Sequence, residues 1–216
     1  KDDIFKKSID AQFAFNSEVA GVFDDMISRS IPGYASILEL TSKALAGYVP
    51  NQGVITDIGC STANLLIKIA KEERKKGFRL IGIDDSTDML LVASKKAKAY
   101  ECEIEFLHQN VTDSKLPPSN AFVANFTLQF IRPIVREKVV ENIFSSLTEN
   151  GVFLFAEKLI SEEMEEIARN AVQRFLDFGI TKETSHMNMQ DNYYFHFVQK
   201  ITNTIMKPVV IQEERK

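Results

Sequence analysis

From about residue 54 onward, short β-branched runs alternate with longer amphipathic stretches, the pattern of a parallel sheet covered by helices. Strands are expected at residues 54–58, 80–84, 103–107, 121–126 and 152–156. Several are almost wholly apolar, as strands covered on both faces are. Helices are expected at 63–75 after the first strand, 88–100 after the second and 136–147 after the fourth. In the last of these, Ile134, Val139, Ile143 and Leu147 recur at helical spacing, and Asn150-Gly151 reads as the stop signal. The link over 111–120 holds Pro117-Pro118 and reads as a loop.

Ahead of the first strand, residues 19–27 and 36–45 read as two helices parted by Pro32-Gly33. Past the fifth, a charged helix is expected over 161–178, with Ser161 as its N-cap, Glu162, Glu163, Glu165 and Glu166 at the favourable end of its dipole, and Gly179 as its stop. Residues 193–205 fit either an aromatic strand or a helix, and 209–212 a short final strand. The expected fold is thus α/β, a mainly parallel sheet with helices on both faces and an N-terminal helical cap. The expected organisation is one domain over 1–216: a cap at 1–50, a core at 51–158 and a tail at 159–216.

Composition narrows the class. With 26 Lys+Arg against 30 Asp+Glu, a net charge of −4, 44% hydrophobic and 26% charged residues, the chain is ordinary globular material, which excludes collagen-like and disordered readings. No apolar run approaches the roughly 18–20 residues needed to span a bilayer, and residues 1–7 lack the apolar core of a secretory signal, so a cytoplasmic protein without membrane attachment is expected. Cys60 and Cys102 match neither a disulfide framework nor a zinc spacing; both are expected as reduced thiols, with no metal. The mildly acidic balance argues against broad nucleic-acid affinity and favours a small ligand.

The most informative segment is Thr56-Asp57-Ile58-Gly59-Cys60-Ser61-Thr62-Ala63, a strand running through a tight turn into a helix. Gly59 lets a ligand approach bare backbone, Cys60, Ser61 and Ala63 keep the turn small, and amides at the helix start are expected to face a polar group. Only one glycine stands where a dinucleotide fingerprint needs three, which favours an adenosine-bearing ligand without a pyrophosphate. The plainer alternative is a mere strand-to-helix turn with Cys60 packed inside. Asp84, at the second strand tip, is placed to accept hydrogen bonds from a ribose diol; its plainer role is to cap the next helix, which Asp85 or Ser86 would serve equally well. At the third tip, Gln109-Asn110-Val111 offers an amide and an apolar face to an adenine ring; at the fourth, Asn125 is either a turn former or a ligand contact. All four tips share one edge of the sheet.

Asp57-Ile58-Gly59-Cys60-Ser61, Asn125-Phe126-Thr127-Leu128-Gln129-Phe130, Glu157-Lys158 and above all the stretch from Val22 to Tyr34, with its Arg29-Ser30-Ile31-Pro32-Gly33-Tyr34, closely resemble the carboxy-S-adenosyl-methionine synthases. These are bacterial members of the class I S-adenosylmethionine-dependent methyltransferase superfamily, with a Rossmann-like fold. The resemblance spans roughly residues 2–160. It implies a transferase that combines S-adenosyl-L-methionine with prephenate, giving carboxy-S-adenosyl-L-methionine, phenylpyruvate and water. It also implies a homodimer, and a tRNA-modifying transferase that uses the product to make 5-carboxymethoxyuridine at the wobble position. Carried across by position, Tyr34 contacts the carboxylated sulfonium ligand; Gly59, Cys60 and Ser61 line its amino acid moiety; Asp84 and Asp85 take the ribose; Asn110 and Val111 flank adenine; and Asn125 lies beneath the reacting centre.

In such chemistry the sulfonium acidifies the methyl group, while decarboxylation of prephenate supplies both the carbon dioxide to be captured and the hydroxide that removes the proton. The protein then supplies positioning and electrostatics. No general base is assigned, and His108, His186 and His196 are read as surface or satisfied core residues. The chain departs from the family pattern in having Asp85 for Asn, Asn110 for Asp and Ala63 for a second glycine. Beyond Gly179 the family's Lys-Arg pair, Leu-Glu-Asn motif and two closing strands are not legible. Neither Arg174 nor Lys182 aligns with the family Arg expected to hold the product's carboxylate by a bidentate contact. The rival readings are a small-molecule methyltransferase on the same fold and a noncatalytic protein that binds an S-adenosylmethionine derivative.

Overall fold

The computed structural model describes residues 15–31 and 33–158, together with the strand backbones at 193–201, 204–205 and 209–211. Helices α1 (Ser17–Ser30) and α2 (Tyr34–Tyr48) precede strand β1 (Val54–Ile58). Then follow α3 (Asn64–Glu72), β2 (Arg79–Asp84), α4 (Thr87–Ala99), β3 (Glu105–His108), β4 (Ser119–Asn125), α5 (Pro133–Ser146) and β5 (Leu147–Lys158). The sheet closes with β6 (Tyr193–Ile201), β7 (Thr204–Ile205) and β8 (Val209–Ile211).

The strand order is β3-β2-β1-β4-β5-β6-β7, with β8 also on β6. The first five strands pair in parallel, and β6 runs antiparallel to β5. Chain direction reverses its march across the sheet between β1 and β4, so the crevice at their carboxyl ends is a topological switch point, where ligands of open α/β sheets bind.

Strand periodicity divides the core into two layers. Ile55, Leu80, Ala121, Val123, Val152 and Leu154 point to the face covered by α2, α3 and α4, where Ile37, Leu45, Leu66, Ile69 and Ala93 are fully buried. Their neighbours along the chain, Ile58, Ile81, Ile83, Phe122, Ala124 and Phe153, point to the other face, where Val139 and Ile143 of α5 meet them with Leu116 and Leu128. A smaller cluster of Val19, Ala20 and Phe23 ties α1 to Met89 of α4.

Local signals explain the boundaries. Asn16 caps α1 by accepting from the Val19 amide (3.1 Å), Ser86 caps α4 by accepting from Met89 N (3.2 Å), and Pro133 occupies the first turn of α5, where a missing amide hydrogen costs nothing. The expectation for α5 needs correction on two points. Ile134 is 89% exposed rather than part of the apolar stripe, and Asn150-Gly151 does not stop the helix. The helix ends at Ser146, and β5 begins at once; Asn150, at φ +60°, lies inside β5 where its pairing with β4 shifts register between Ser119 and Ala121. A bulge thus stands where the sequence suggested a turn. Strand β3 also starts two residues later than expected, because the Cys102 amide donates to Ala97 O at the end of α4. The segment at 193–201 is a strand, and 209–211 pairs with it, so two closing strands form although their family motifs are not legible. The helix expected at 161–178 lies outside the described residues.

Candidate active site

A cavity of about 780 Å3 opens along the carboxyl ends of β1 to β4 and is walled on the far side by α1 and the start of α2. Tyr34, Gly59, Cys60, Ser61, Asp84, Asp85, Asn110, Val111 and Asn125 all line it, as do Asp57 and Gln109. The structure therefore brings every proposed contact to one place. His108 does not line the cavity; its Nε2 lies 3.0 Å from the Asp85 carbonyl. His186, Arg174, Lys182 and the side chain of His196 lie outside the described residues.

The turn after β1 takes its shape from alternating left-handed residues, Gly59 (φ +67°), Ser61 (φ +49°) and Ala63 (φ +62°). A side chain at Gly59 would meet Thr127 Cγ2 and Oγ1 at 2.6 Å, because Thr127 leans in to donate to Ile58 O (2.9 Å). Three of the turn's amides are not free for a ligand, contrary to expectation. Gly59 N and Cys60 N both donate to Ile83 O, at 2.8 and 3.0 Å, and Ser61 N donates to Asp84 Oδ2 at 2.8 Å. The turn is thereby riveted to β2. The Cys60 side chain packs inward, 5% exposed, filling the place that bare Gly82 leaves on the next strand, where an added Cβ would lie 2.8 Å from its sulfur. Burial pushes its thiol up, and the charges of Asp57 and Asp84 add to the shift. Cys60 thus meets the cavity chiefly as backbone.

Asp84 is 8% exposed, and each of its oxygens holds one amide: Oδ2 that of Ser61, Oδ1 that of Ser86 at 2.9 Å. Helix capping has passed to Ser86, so the carboxylate is fixed but keeps acceptor capacity for hydroxyls in the cavity. Burial raises its pKa, against the pull of those two amides. Asp57 is buried more deeply; burial, with the charge of Asp84 second, pushes it up to about 8. At the third tip, Asn110 turns its side-chain oxygen to Thr112 N (2.9 Å) and Thr112 Oγ1 (2.6 Å), whereas Gln109 Oε1 is buried with no hydrogen-bond partner. Asn125 Oδ1 is a second such orphan, its amide nitrogen reaching Thr41 Oγ1 only at 3.5 Å. Unsatisfied buried acceptors on a cavity wall are costly unless a ligand donor meets them, and these two fit the amino and hydroxyl hydrogens of an adenosyl ligand.

Sequence reasoning missed the polar cluster behind Tyr34. Asp24 of α1 accepts from Thr62 Oγ1 (2.5 Å) and Asn64 Nδ2 (2.9 Å) and pairs with Lys96 Nζ (2.6 Å), while Lys96 also reaches Asn64 Oδ1 (2.6 Å). Burial works against the ionised Asp24, but the hydrogen bonds from Lys96, Thr62 and Asn64 hold it below its ordinary pKa. Asn64 Nδ2 lies 3.4 Å from Tyr34 Oη, and burial pushes that phenol up to about 12, so Tyr34 faces the cavity as a neutral hydroxyl. Glu157 is another omission: its Oε1 accepts from Leu128 N (2.7 Å), which pins the turn after β4, and burial pushes it up to about 7. Among the described residues no cluster of three or more His, Cys, Asp or Glu could hold a metal ion, and no helix is long and apolar enough to cross a membrane.

This sheet, with an adenosine-sized crevice at its switch point, defines a Rossmann-like class I S-adenosylmethionine-dependent methyltransferase fold. Residues 55–151 match the methyltransferase domain family, and a solved S-adenosyl-L-methionine-dependent methyltransferase of Methanococcus maripaludis superposes over 92% of this chain and all of its own with a TM-score of 0.60, at 16% identity. Proteins of Campylobacter jejuni and Campylobacter concisus, each named carboxy-S-adenosyl-L-methionine synthase, are 40% and 43% identical over 178 residues, covering 82% of this chain and 74% and 75% of theirs. The chain belongs to the carboxy-S-adenosyl-L-methionine synthase family, whose members are S-adenosylmethionine-dependent enzymes.

Proposed function

We propose that the protein combines S-adenosyl-L-methionine with prephenate to give carboxy-S-adenosyl-L-methionine and phenylpyruvate, in the cytoplasm and as a homodimer, and that a tRNA-modifying transferase uses the product at the wobble uridine. The observation that carries this reading is the convergence of Tyr34, Asp57, Asp84, Gln109 and Asn125 on one cavity in a chain of this family.

Within that reading, Asp84 and Asp85 hold the ribose, Gln109, Asn110 and Val111 meet adenine, and the Gly59–Ser61 turn lies along the amino acid moiety, with Asp57 as the carboxylate nearest a cationic ammonium. Bound S-adenosyl-L-methionine supplies a methyl group made acidic by its sulfonium. Tyr34 and Asn125 orient polar groups at the reacting end, the phenol as a neutral donor. The apolar side chains of Phe23, Met26, Ile27 and Leu38 exclude water from that end. No side chain is assigned as a base, since the hydroxide released from prephenate serves.

The test is mass spectrometry of the small molecules released by denaturation after incubation with S-adenosyl-L-methionine and prephenate. A species heavier than S-adenosyl-L-methionine by one carbon dioxide, formed only with prephenate, is the expected result. Transfer of an unmodified methyl group to an acceptor would instead establish a methyltransferase, and binding without turnover a noncatalytic protein.

A further inference from the structure

The cavity's charges are sorted along the sheet. Its acidic residues, Asp57, Asp84, Asp85 and Asp113, belong to β1, β2 and the loop after β3, whereas Arg132 and Lys138, the two cations in its described lining, both follow β4. Both are exposed, and among the described residues neither has an ion-pair or hydrogen-bond partner for its charged group. This is unlike Lys68, Arg79 and Lys96, each of which is paired with a carboxylate. Between the two cations and the cavity floor lies an apolar wall. Phe130 is 57% exposed, braced edge-on against Phe15 (ring centres 5.3 Å apart, planes at 84°), with Ile131 and Val135 beside it. An exposed aromatic ring beside two free cations is matched by a molecule with a small apolar ring and carboxylate groups. A volume of about 780 Å3 is toward the upper end of the roughly 300–1,000 Å3 usual for small-molecule sites, so the acidic end accommodates a cationic nucleoside while leaving this end for a second molecule.

We infer that Arg132 and Lys138, with the Phe130 wall, form the subsite for the anionic cyclic co-substrate, and that they set its affinity while the β1–β3 carboxylates set that of the sulfonium nucleoside. The inference rests on the proposed function for the identity of the co-substrate, prephenate, but not for the existence of the subsite.

The experiment compares wild type with Arg132→Ala, Lys138→Ala, the double variant and Arg132→Lys, measuring KM for prephenate and, separately, the Kd for S-adenosyl-L-methionine by calorimetry. Each single alanine should raise the prephenate KM about tenfold and the double variant about a hundredfold, as lost charge-assisted hydrogen bonds do. The nucleoside Kd should stay unchanged, Arg132→Lys should recover part of the loss, and the wild-type KM should climb with salt far more than that of the double variant. An unchanged prephenate KM in the double variant, or an equal weakening of both ligands, overturns the subsite. If wild type shows no turnover, the reading of the reaction fails on its own, and binding of prephenate and phenylpyruvate to the nucleoside-loaded protein decides the subsite. Loss of binding in the double variant supports it; no binding to wild type, or equal binding to both, overturns it.

Discussion

Replacing Gly59 with alanine should destabilise the protein through two separable costs. The first is conformational: at φ +67° a residue with a Cβ is strained, by about 1–3 kcal/mol for non-glycine residues in sparsely populated regions. The second is steric: the new methyl lies 2.6 Å from both Thr127 Cγ2 and Oγ1 and 3.1 Å from Thr127 Cβ, and overpacking of this kind costs about 1–3 kcal/mol. Thr127 cannot simply swing away, because its hydroxyl donates to Ile58 O at 2.9 Å and 3.3 Å from Asn125 O. The combined loss is therefore about 3–4 kcal/mol, roughly a 10 °C fall in Tm for a domain of this size. Urea unfolding of the ligand-free protein measures it. The decisive variant is Gly59→Ala with Thr127→Ala, which removes the two shortest contacts but leaves the backbone strain. The pair should be coupled by about 1–2 kcal/mol, the double variant being less destabilised than the sum of the singles. Additivity within about 0.5 kcal/mol, or a Gly59→Ala protein as stable as wild type, would refute the reasoning.

Asp57 is raised from 3.8 to about 8, so the stability supplied by its protonated form is complete below about pH 3.8 and is lost as pH rises through about 8; ligand-free Tm should fall across that window, and Asp57→Asn should flatten the fall. Glu157, raised from 4.5 to about 7, contributes a slope of the same sign, so Glu157→Gln combined with Asp57→Asn should flatten it further; an unaltered slope in both variants contradicts these assignments. Lys96→Met should cost about 1 kcal/mol of stability, since its partner Asp24 is partly exposed, yet weaken S-adenosyl-L-methionine binding measurably by freeing Asn64 and Tyr34; calorimetry showing wild-type affinity would detach this cluster from the site. In native protein, a thiol reagent should label the partly exposed Cys102 well before Cys60, whose sulfur packs against Gly82; equal rates, read by mass spectrometry of peptides, would contradict that packing.

The parallel core was legible because burial on both faces leaves an unmistakable residue pattern: β1 falls where its apolar run predicts, and β2 and β4 shift by no more than two residues. The strand-tip contacts followed from that, since Asp84, Gln109 and Asn125 need only the sheet to bring them together. Other features depend on partners distant in sequence. Asn150-Gly151 resembles a helix stop locally, but Asn120 bridges Val54 N (2.9 Å) and Thr148 Oγ1 (3.1 Å) and favours the strand at the bulge. Tyr34 was placed in the break between helices, yet it opens α2, with Gly33 at φ +71° reversing the chain before it. The Asp24–Thr62–Asn64–Lys96 cluster joins α1, α3, α4 and the turn before α3, and no local spacing betrays it. The free turn amides failed for a similar reason: the Ile83 carbonyl that engages two of them belongs to the neighbouring strand.

Helix α1 is fastened differently from everything else around the pocket. Its buried side chains, Val19, Ala20 and Phe23, meet Met89 in a cluster apart from the two that flank the sheet, and its other fastening is the charged clasp at Asp24. Segments with few buried apolar contacts open at lower free energy than the core they rest on. The amides of α1 should therefore trade hydrogen for deuterium through an opening that leaves β1 and β4 closed, on a faster clock than either strand. Because Phe23, Met26 and Ile27 face the cavity, a molecule lodged beneath them slows that clock, and the exchange rate of one helix becomes a gauge of how full the pocket is.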